Sequence, residues 1–138
     1  MATPEDNIAT IRRVYDAMKN RDASALEEIF AADIRISQSP ELPWGGDYEG
    51  RDGAFTFFLS LVEHIESQVT TDRMFAAGEH VVQVGHTRGK VVANGAPFDV
   101  AEVHVWEVRN GKVVGFRAYI DTPAMLEALR ADGAADPG

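Results

Sequence analysis

The sequence predicts an α+β fold in which helices cover one face of a curved, mostly antiparallel sheet. Helical spacing of apolar residues extends to about Ile65, and a two-residue alternation replaces it after Ser67. Asn-Gly pairs at 94–95 and 110–111 divide the strand-like part, and they favour tight hairpins because both residues tolerate positive φ. Helices followed by a run of hairpin-linked strands are typical of the α+β class.

The helices are predicted from caps and from apolar residues that recur every three or four positions. The first begins at Thr3-Pro4, where a hydroxyl cap precedes a proline whose missing N–H costs nothing. Ile8, Ile11 and Tyr15 then direct one stripe toward a core. Further helices are expected at 22–32, at 51–65 and from Thr122 to about Arg130.

The strands are predicted from alternation bounded by turn residues. A short strand is expected at 33–39, followed by a turn-rich loop at 40–50 with two prolines and three glycines. Four more strands are expected at 67–77, 80–92, 97–108 and 112–120.

Length and composition restrict the class of protein. The 138 residues, 45% hydrophobic and 25% charged, have the balance of a soluble globular protein, and we expect one domain over 1–131 with a flexible tail at 132–138. Thirteen basic against 22 acidic residues give a formal charge of −9, which disfavours nucleic acid and anionic membranes as partners. Cysteine, a signal-peptide pattern and a membrane-spanning apolar run are all absent from the sequence, so we expect a cytoplasmic protein.

The stretch at 101–121 has the most informative pattern. Glu102, His104 and Trp106 alternate on one row of a strand, whereas Val103 and Val105 lie on the other row. Both rows hold large apolar side chains. We therefore expect both faces to be buried, one against the helices and the outer one against a second copy of the chain in a homodimer.

The register across the turn at 110–111 decides what His104 faces. A two-residue turn sets His104 beside Arg117. A longer turn with a glycine bulge shifts the pairing by one residue and sets His104 beside Phe116, near Ala118.

Three stretches resemble the NTF2-like superfamily, specifically its SnoaL-like branch: YDAMKNRDASALEEIFAADI at 15–34, LPWGGDYEGRDGAFTFF at 42–58 and VRNGKVVGFRAYID at 108–121. With the strands between them, the resemblance extends over about residues 5 to 130. It implies a cone-shaped half-barrel closed by helices, a deep apolar pocket and frequently a dimer. Isomerases, cyclases, hydrolases, dehydratases and non-enzymatic binding modules share this fold, so the fold alone leaves the function open.

The resemblance also carries expectations for single residues. An acid-base histidine of SnoaL-like cyclases faces the pocket and matches His104, which favours the second register. Where those cyclases keep a catalytic aspartate and limonene epoxide hydrolases an acid, this chain has Ala118. The first-helix tyrosine of steroid isomerases aligns with Val14, one place from Tyr15, and their base aspartate aligns near 38–39, where no acid stands. The catalytic sets of these relatives are therefore incomplete here.

His104 and Glu102 are the candidate catalytic residues. The ordinary pKa of a histidine lies near neutrality, so His104 is expected to act as a general base, with Glu102 orienting its ring or raising its pKa. Tyr15 or Tyr48 would donate a hydrogen bond to a developing enolate. The alternative is a satisfied interior histidine, with Glu102 paired to Lys or Arg at the sheet edge.

Aromatic residues indicate a cavity for a flat, apolar molecule. The alternative for most of them is the hydrophobic core, but Trp44 and Tyr48 lie on a predicted loop, where binding residues concentrate. The candidate lining residues are Tyr15, Trp44, Tyr48, Phe58, Trp106, Phe116 and the small Ala118.

Three functions fit these observations. The first is a lyase, isomerase or cyclase that transfers protons on a small polyketide-, terpene- or steroid-like molecule. The second is a binding module with the same pocket, and the third is a dimerisation module that uses Val103, Val105 and Tyr119. We expect no metal and no cofactor, because the four histidines lack the spacing of a compact site and no phosphate-binding glycine loop is present.

Overall fold

The computed structural model describes residues 2–131, and the tail expected at 132–138 lies outside them. The helices are α1 (Pro4–Lys19), α2 (Ala23–Ile29), α3 (Gly50–His64) and α4 (Thr122–Arg130). The strands are β1 (Phe30–Gln38), β2 (Gly46–Glu49), β3 (Ile65–Ala77), β4 (His80–Val91), β5 (Pro97–Arg109) and β6 (Lys112–Ile120).

The strands form one open sheet in the order β2-β1-β6-β5-β4-β3. β1 and β6 run parallel, and the other neighbouring pairs are antiparallel. α1 packs against β3 and β4, and α3 packs against β1, so the core lies between the helices and one face of the sheet. The predicted α+β class with a mostly antiparallel sheet is confirmed. No helix of the described chain is long and apolar enough to cross a membrane.

Local capping signals set two helix ends. The Thr3 hydroxyl accepts a hydrogen bond from the Asp6 N–H at 3.1 Å, and the Asp6 carboxylate accepts one from the Thr3 N–H at 3.0 Å. At the other end of the chain, Asp121 Oδ1 accepts from the Ala124 N–H at 3.2 Å and caps α4. These bonds satisfy backbone donors that have no partner inside a helix.

Two predicted boundaries are wrong. The expected loop at 40–50 contains β2, because Gly46–Glu49 pairs with the end of β1. The expected helix at 22–32 stops at Ile29, since Phe30 takes extended backbone and pairs with Val113 of β6. Phe30 is fully buried there, and its tertiary packing outweighs the helical tendency of the residues around it.

The β5–β6 hairpin has the shifted register. Asn110 and Gly111 both have positive φ, 52° and 76°, so the turn itself has two residues. A bulge after Glu107 then shifts the pairing, and His104 lies opposite Ala118. The predicted one-residue shift is confirmed, but the cross-strand partner of His104 is Ala118, whereas Phe116 lies opposite Trp106, and the longer turn expected to cause the shift is wrong. The bulge lies within the ladder, where it also increases the local twist.

Strands β3 and β4 approach each other very closely at Gly85. A Cβ atom on Gly85 would lie 1.9 Å from the carbonyl oxygen of Thr70, beside a bulge between Thr71 and Arg73. No side chain fits in that space, so the close approach of the two strands requires glycine.

Replacing Gly85 with alanine is therefore expected to destabilise the protein by about 1–3 kcal/mol, because β3 must move away from β4. Gly115→Ala is the matched control, since a Cβ atom there meets its nearest neighbour at an ordinary 3.4 Å. Urea unfolding of both variants measures the difference. Equal free energies of unfolding for the two variants would show that the sheet accommodates the added methyl group.

Candidate functional site

The helix-facing row of β5 holds the polar residues that the sequence singles out. Glu102, His104 and Trp106 are 3%, 6% and 0% exposed. Tyr15 reaches this row from α1, which packs over the neighbouring strands. The alternating polarity of β5 therefore marks a buried site and not a face in contact with water.

Tyr15 joins α1 to β5 through two hydrogen bonds. Its oxygen accepts from Trp106 Nε1 at 2.9 Å and lies 2.7 Å from His104 Nδ1. An indole N–H can only donate, so the Tyr15 oxygen is the acceptor in that bond and its own proton is available to Nδ1. This arrangement favours the His104 tautomer that carries its proton on Nε2.

The Glu102 carboxyl lies on the other side of the His104 ring. Oε2 is 3.3 Å from His104 Nε2, but the contact is not aligned as a hydrogen bond. Both carboxyl oxygens are buried without a hydrogen-bond partner within residues 2–131, and so is Gln83 Oε1 on β4. The Gln83 amide nitrogen donates to Thr71 Oγ1 at 2.9 Å.

Burial sets the charges of this site. Removal from water lowers the pKa of His104 to about 3 and raises the pKa of Glu102 to about 7. It also raises the pKa of the Tyr15 hydroxyl, which stays protonated. His104 is therefore neutral at neutral pH, and the group of the pair that titrates there is Glu102.

Aromatic rings enclose His104. Phe116 stacks on Trp106 with ring centroids 4.0 Å apart, and its centroid is 5.1 Å from that of His104. Ala118 lies directly opposite His104 on β6. Of the lining residues expected from the sequence, the structure thus brings Tyr15, Trp106, Phe116 and Ala118 together.

The other three expected lining residues make packing contacts away from His104. Trp44 is 1% exposed, and its Nε1 donates to Gln38 Oε1 at 3.0 Å. The Tyr48 hydroxyl donates to the Trp44 carbonyl at 3.0 Å, and Phe58 stacks on Phe30 at 6.1 Å. These contacts hold the segment between β1 and β2 and the base of α3 in place.

A groove of about 300 Å³ opens beside the site, where β1 ends. Gln38, Ala118 and Ile120 line it, together with residues of the neighbouring loop. Ala118 and Ile120 are the direct cross-strand partners of His104 and Glu102, so the groove reaches the immediate neighbours of the pair. A larger groove of about 420 Å³ lies between α1, α2 and the β5–β6 turn, away from these residues.

Gln83 and Thr71 belong to no functional motif in the sequence. Gln83 stands between valines on β4 at an inward position, and that placement is the only signal in the sequence. It becomes informative once the β4–β5 register places Gln83 opposite His104.

A six-stranded open sheet that packs on helices and buries a polar site between them defines an NTF2-like protein. Residues 11–116 match the family model of the SnoaL-like domain, and the chain belongs to that family. The predicted family is thereby confirmed.

Solved structures share the fold. An NTF2-like protein of unknown function from Burkholderia pseudomallei is 30% identical, with a TM-score of 0.84 over 95% of this chain and 100% of that one. An NTF2-like protein from Burkholderia xenovorans is 27% identical, with a TM-score of 0.84 over 93% and 98%. A Jannaschia protein described as a candidate SnoaL-like polyketide cyclase is 21% identical, with a TM-score of 0.81 over 99% of both chains, and shares the fold alone. No curated protein sequence matches the chain.

Proposed function

We propose that the protein is a cofactor-independent enzyme that moves a proton on a small, apolar polyketide-, terpene- or steroid-like molecule, as an isomerase, cyclase or lyase. The observation that carries the proposal is the buried Glu102 carboxyl, whose pKa of about 7 lies where general acid–base catalysis is most effective. The cyclase description of the Jannaschia protein with the same fold supports this substrate class.

In this proposal Glu102 exchanges the proton and His104 positions it, which reverses the roles predicted from the sequence. Nδ1 of His104 is engaged by the Tyr15 hydroxyl and Nε2 lies 3.3 Å from Glu102 Oε2, so both ring nitrogens face protein side chains. The neutral ring is held by Tyr15, and it in turn limits the orientations open to the carboxyl. A rigid carboxyl is what proton transfer at one carbon of a substrate requires.

The substrate would enter through the 300 Å³ groove. Ala118 contributes only a methyl group to its wall, and cross-strand neighbours lie about 5 Å apart. A flat molecule in the groove therefore lies one side chain away from His104, and movement of Ile120 brings it to Glu102. The aromatic pair Trp106 and Phe116 forms an apolar floor behind the histidine.

Solvent exchange of protons next to a carbonyl tests the function. The protein is incubated in D₂O with flat aromatic ketones and cyclic enones, and deuterium incorporation is followed by NMR. We expect one of these compounds to exchange faster than in buffer, at a single carbon. If compounds bind, as seen by line broadening, and none exchanges, the non-catalytic binding module predicted as the alternative is the better description.

The outer face of the sheet supports a homodimer. Val84 lies opposite Val103, which lies opposite Tyr119, and Val82 lies opposite Val105. Tyr119 is 53% exposed, so this row presents a large apolar side chain to solvent. We propose that a second copy of the chain covers this face through the same residues, since one self-complementary patch is all that a twofold interface needs.

Introducing a charge in that face is expected to separate the two copies. Val103→Lys should convert a dimer to a monomer in analytical ultracentrifugation, because a lysine there would be buried without a partner. Thr56→Lys, on the exposed side of α3, adds the same charge and should stay dimeric. A monomeric wild type, or a dimeric Val103→Lys variant, contradicts the proposed interface.

A further inference from the structure

Three buried acceptor atoms without partners lie in one place. Glu102 Oε1 and Oε2 and Gln83 Oε1 have no hydrogen-bond donor in the described part of the chain, and the two residues are only 3% and 0% exposed. Gly85 lies opposite Glu102 and two positions after Gln83, so no side chain separates the two residues, and a Cβ atom on Gly85 would lie 3.0 Å from Gln83 Nε2. Unpartnered buried polar atoms are costly, so such a cluster needs an explanation.

An ionised Glu102 leaves these atoms unsatisfied, because a carboxylate and an amide oxygen both only accept. A charged His104 does not remove the difficulty. Its Nδ1–H would donate to the Tyr15 oxygen, which already accepts from Trp106, and the Tyr15 proton would lose its acceptor. Gln83 Oε1 would still have no donor.

A single proton on Glu102 supplies the missing donor. We propose that Glu102 is protonated in the resting protein and donates to Gln83 Oε1, which makes Gln83 the positioning residue that holds the site in its acid form. All the donors then point the same way. The chain is Trp106 Nε1–H to Tyr15, Tyr15 O–H to His104 Nδ1, Glu102 O–H to Gln83 Oε1, and Gln83 Nε2–H to Thr71 Oγ1, with His104 Nε2 in contact with Glu102 Oε2 at 3.3 Å.

Other charged groups near the Glu102 carboxyl shift its pKa in opposite directions. His86 on β4 lowers the pKa of Glu102 when charged, and Asp72 on β3 raises it. In the amide orientation of the structure, the Gln83 side chain also lowers that pKa, and its amide nitrogen donates to Thr71 Oγ1 at 2.9 Å. The orientation of one amide therefore decides whether Gln83 favours the acid or the carboxylate.

The inference deepens the proposed function, on which its catalytic meaning rests. A resting carboxylic acid acts first as a proton donor, so the substrate presents an acceptor such as a carbonyl oxygen. The carboxylate left behind then removes a proton from the adjacent carbon, which yields the enol and restores the acid. Glu102 donates one proton to the carbonyl oxygen and removes one from the adjacent carbon, so no oxidant, reductant or metal is required.

Infrared spectroscopy tests the inference without a substrate. We expect wild-type protein near pH 6 to show the carbonyl stretch of a protonated buried carboxyl, and Glu102→Gln to lack it. Gln83→Leu should lower the apparent pKa of this band by about one unit, because the acid loses its acceptor. Gln83→Met, with an unbranched chain, serves if the leucine variant does not fold.

Two results would overturn the inference. One is the absence of the band in wild type near pH 6, and the other is a higher apparent pKa in both Gln83 variants, which would mean that the amide nitrogen faces a carboxylate. A protonated Glu102 in a protein that exchanges no ketone proton would refute the proposed function and leave this inference intact.

Discussion

Glu102→Gln is expected to slow deuterium exchange on a responsive ketone by about 10²- to 10⁴-fold, the usual contribution of a general acid–base group. Glutamine keeps the size and polarity of the side chain but cannot exchange a proton. KM should change little, because the carboxyl is buried behind Ala118 and Ile120, which form the groove wall. Exchange rates measured by NMR at several substrate concentrations separate an effect on the maximal rate from an effect on KM.

Glu107→Gln is the matched control for this variant. It makes the same chemical change on the same strand, but Glu107 lies on the outer row and pairs with Arg109 at 2.6 Å. Its exchange rate should equal that of the wild type. His104→Asn decides between the two role assignments: if the histidine is the base, as the sequence predicts, this variant should lose more activity than Glu102→Gln.

The dependence of the free energy of unfolding on pH should report the shifted pKa values of Glu102 and His104. Glu102 has a pKa of about 7 in the folded protein and an ordinary pKa of 4.5. Its contribution to the free energy of unfolding is therefore complete below pH 4.5 and is lost as the pH rises through 7. His104 has a folded pKa of about 3 against an ordinary 6.5, so its contribution is complete above pH 6.5 and is lost as the pH falls toward 3. Between pH 4.5 and 6.5 the contribution of Glu102 to stability falls with pH while that of His104 rises, so the two effects oppose each other.

Wild-type stability should therefore rise from pH 3 to 4.5, stay nearly level to 6.5 and decline above it. Glu102→Gln removes the fall in stability that Glu102 causes, so the stability of this variant should keep rising to pH 6.5 and then stay level. Relative to wild type, the variant gains on the order of 3 kcal/mol between pH 4.5 and 7. Urea unfolding across this range measures both curves, and parallel curves would show that Glu102 has an ordinary pKa in the folded protein.

Local signals were sufficient for much of the fold. The Thr3 cap and the Asp121 cap act within four residues, and the Asn110-Gly111 turn depends on the positive φ of its own two residues. Elements that depend on distant partners were not predictable in the same way. Strand β2 exists because its backbone pairs with β1, and α2 stops early because Phe30 is buried against β6.

The sequence by itself determined the α+β class, the family and the row on which Glu102, His104 and Trp106 alternate, because periodicity and turn chemistry are properties of neighbouring residues. Only the tertiary structure decided which member of the pair titrates near neutral pH. That outcome depends on α1 bringing Tyr15 over the row and on the exclusion of water from Glu102 and His104. Desolvation is a property of the whole packed interior, and no local pattern of residues encodes it.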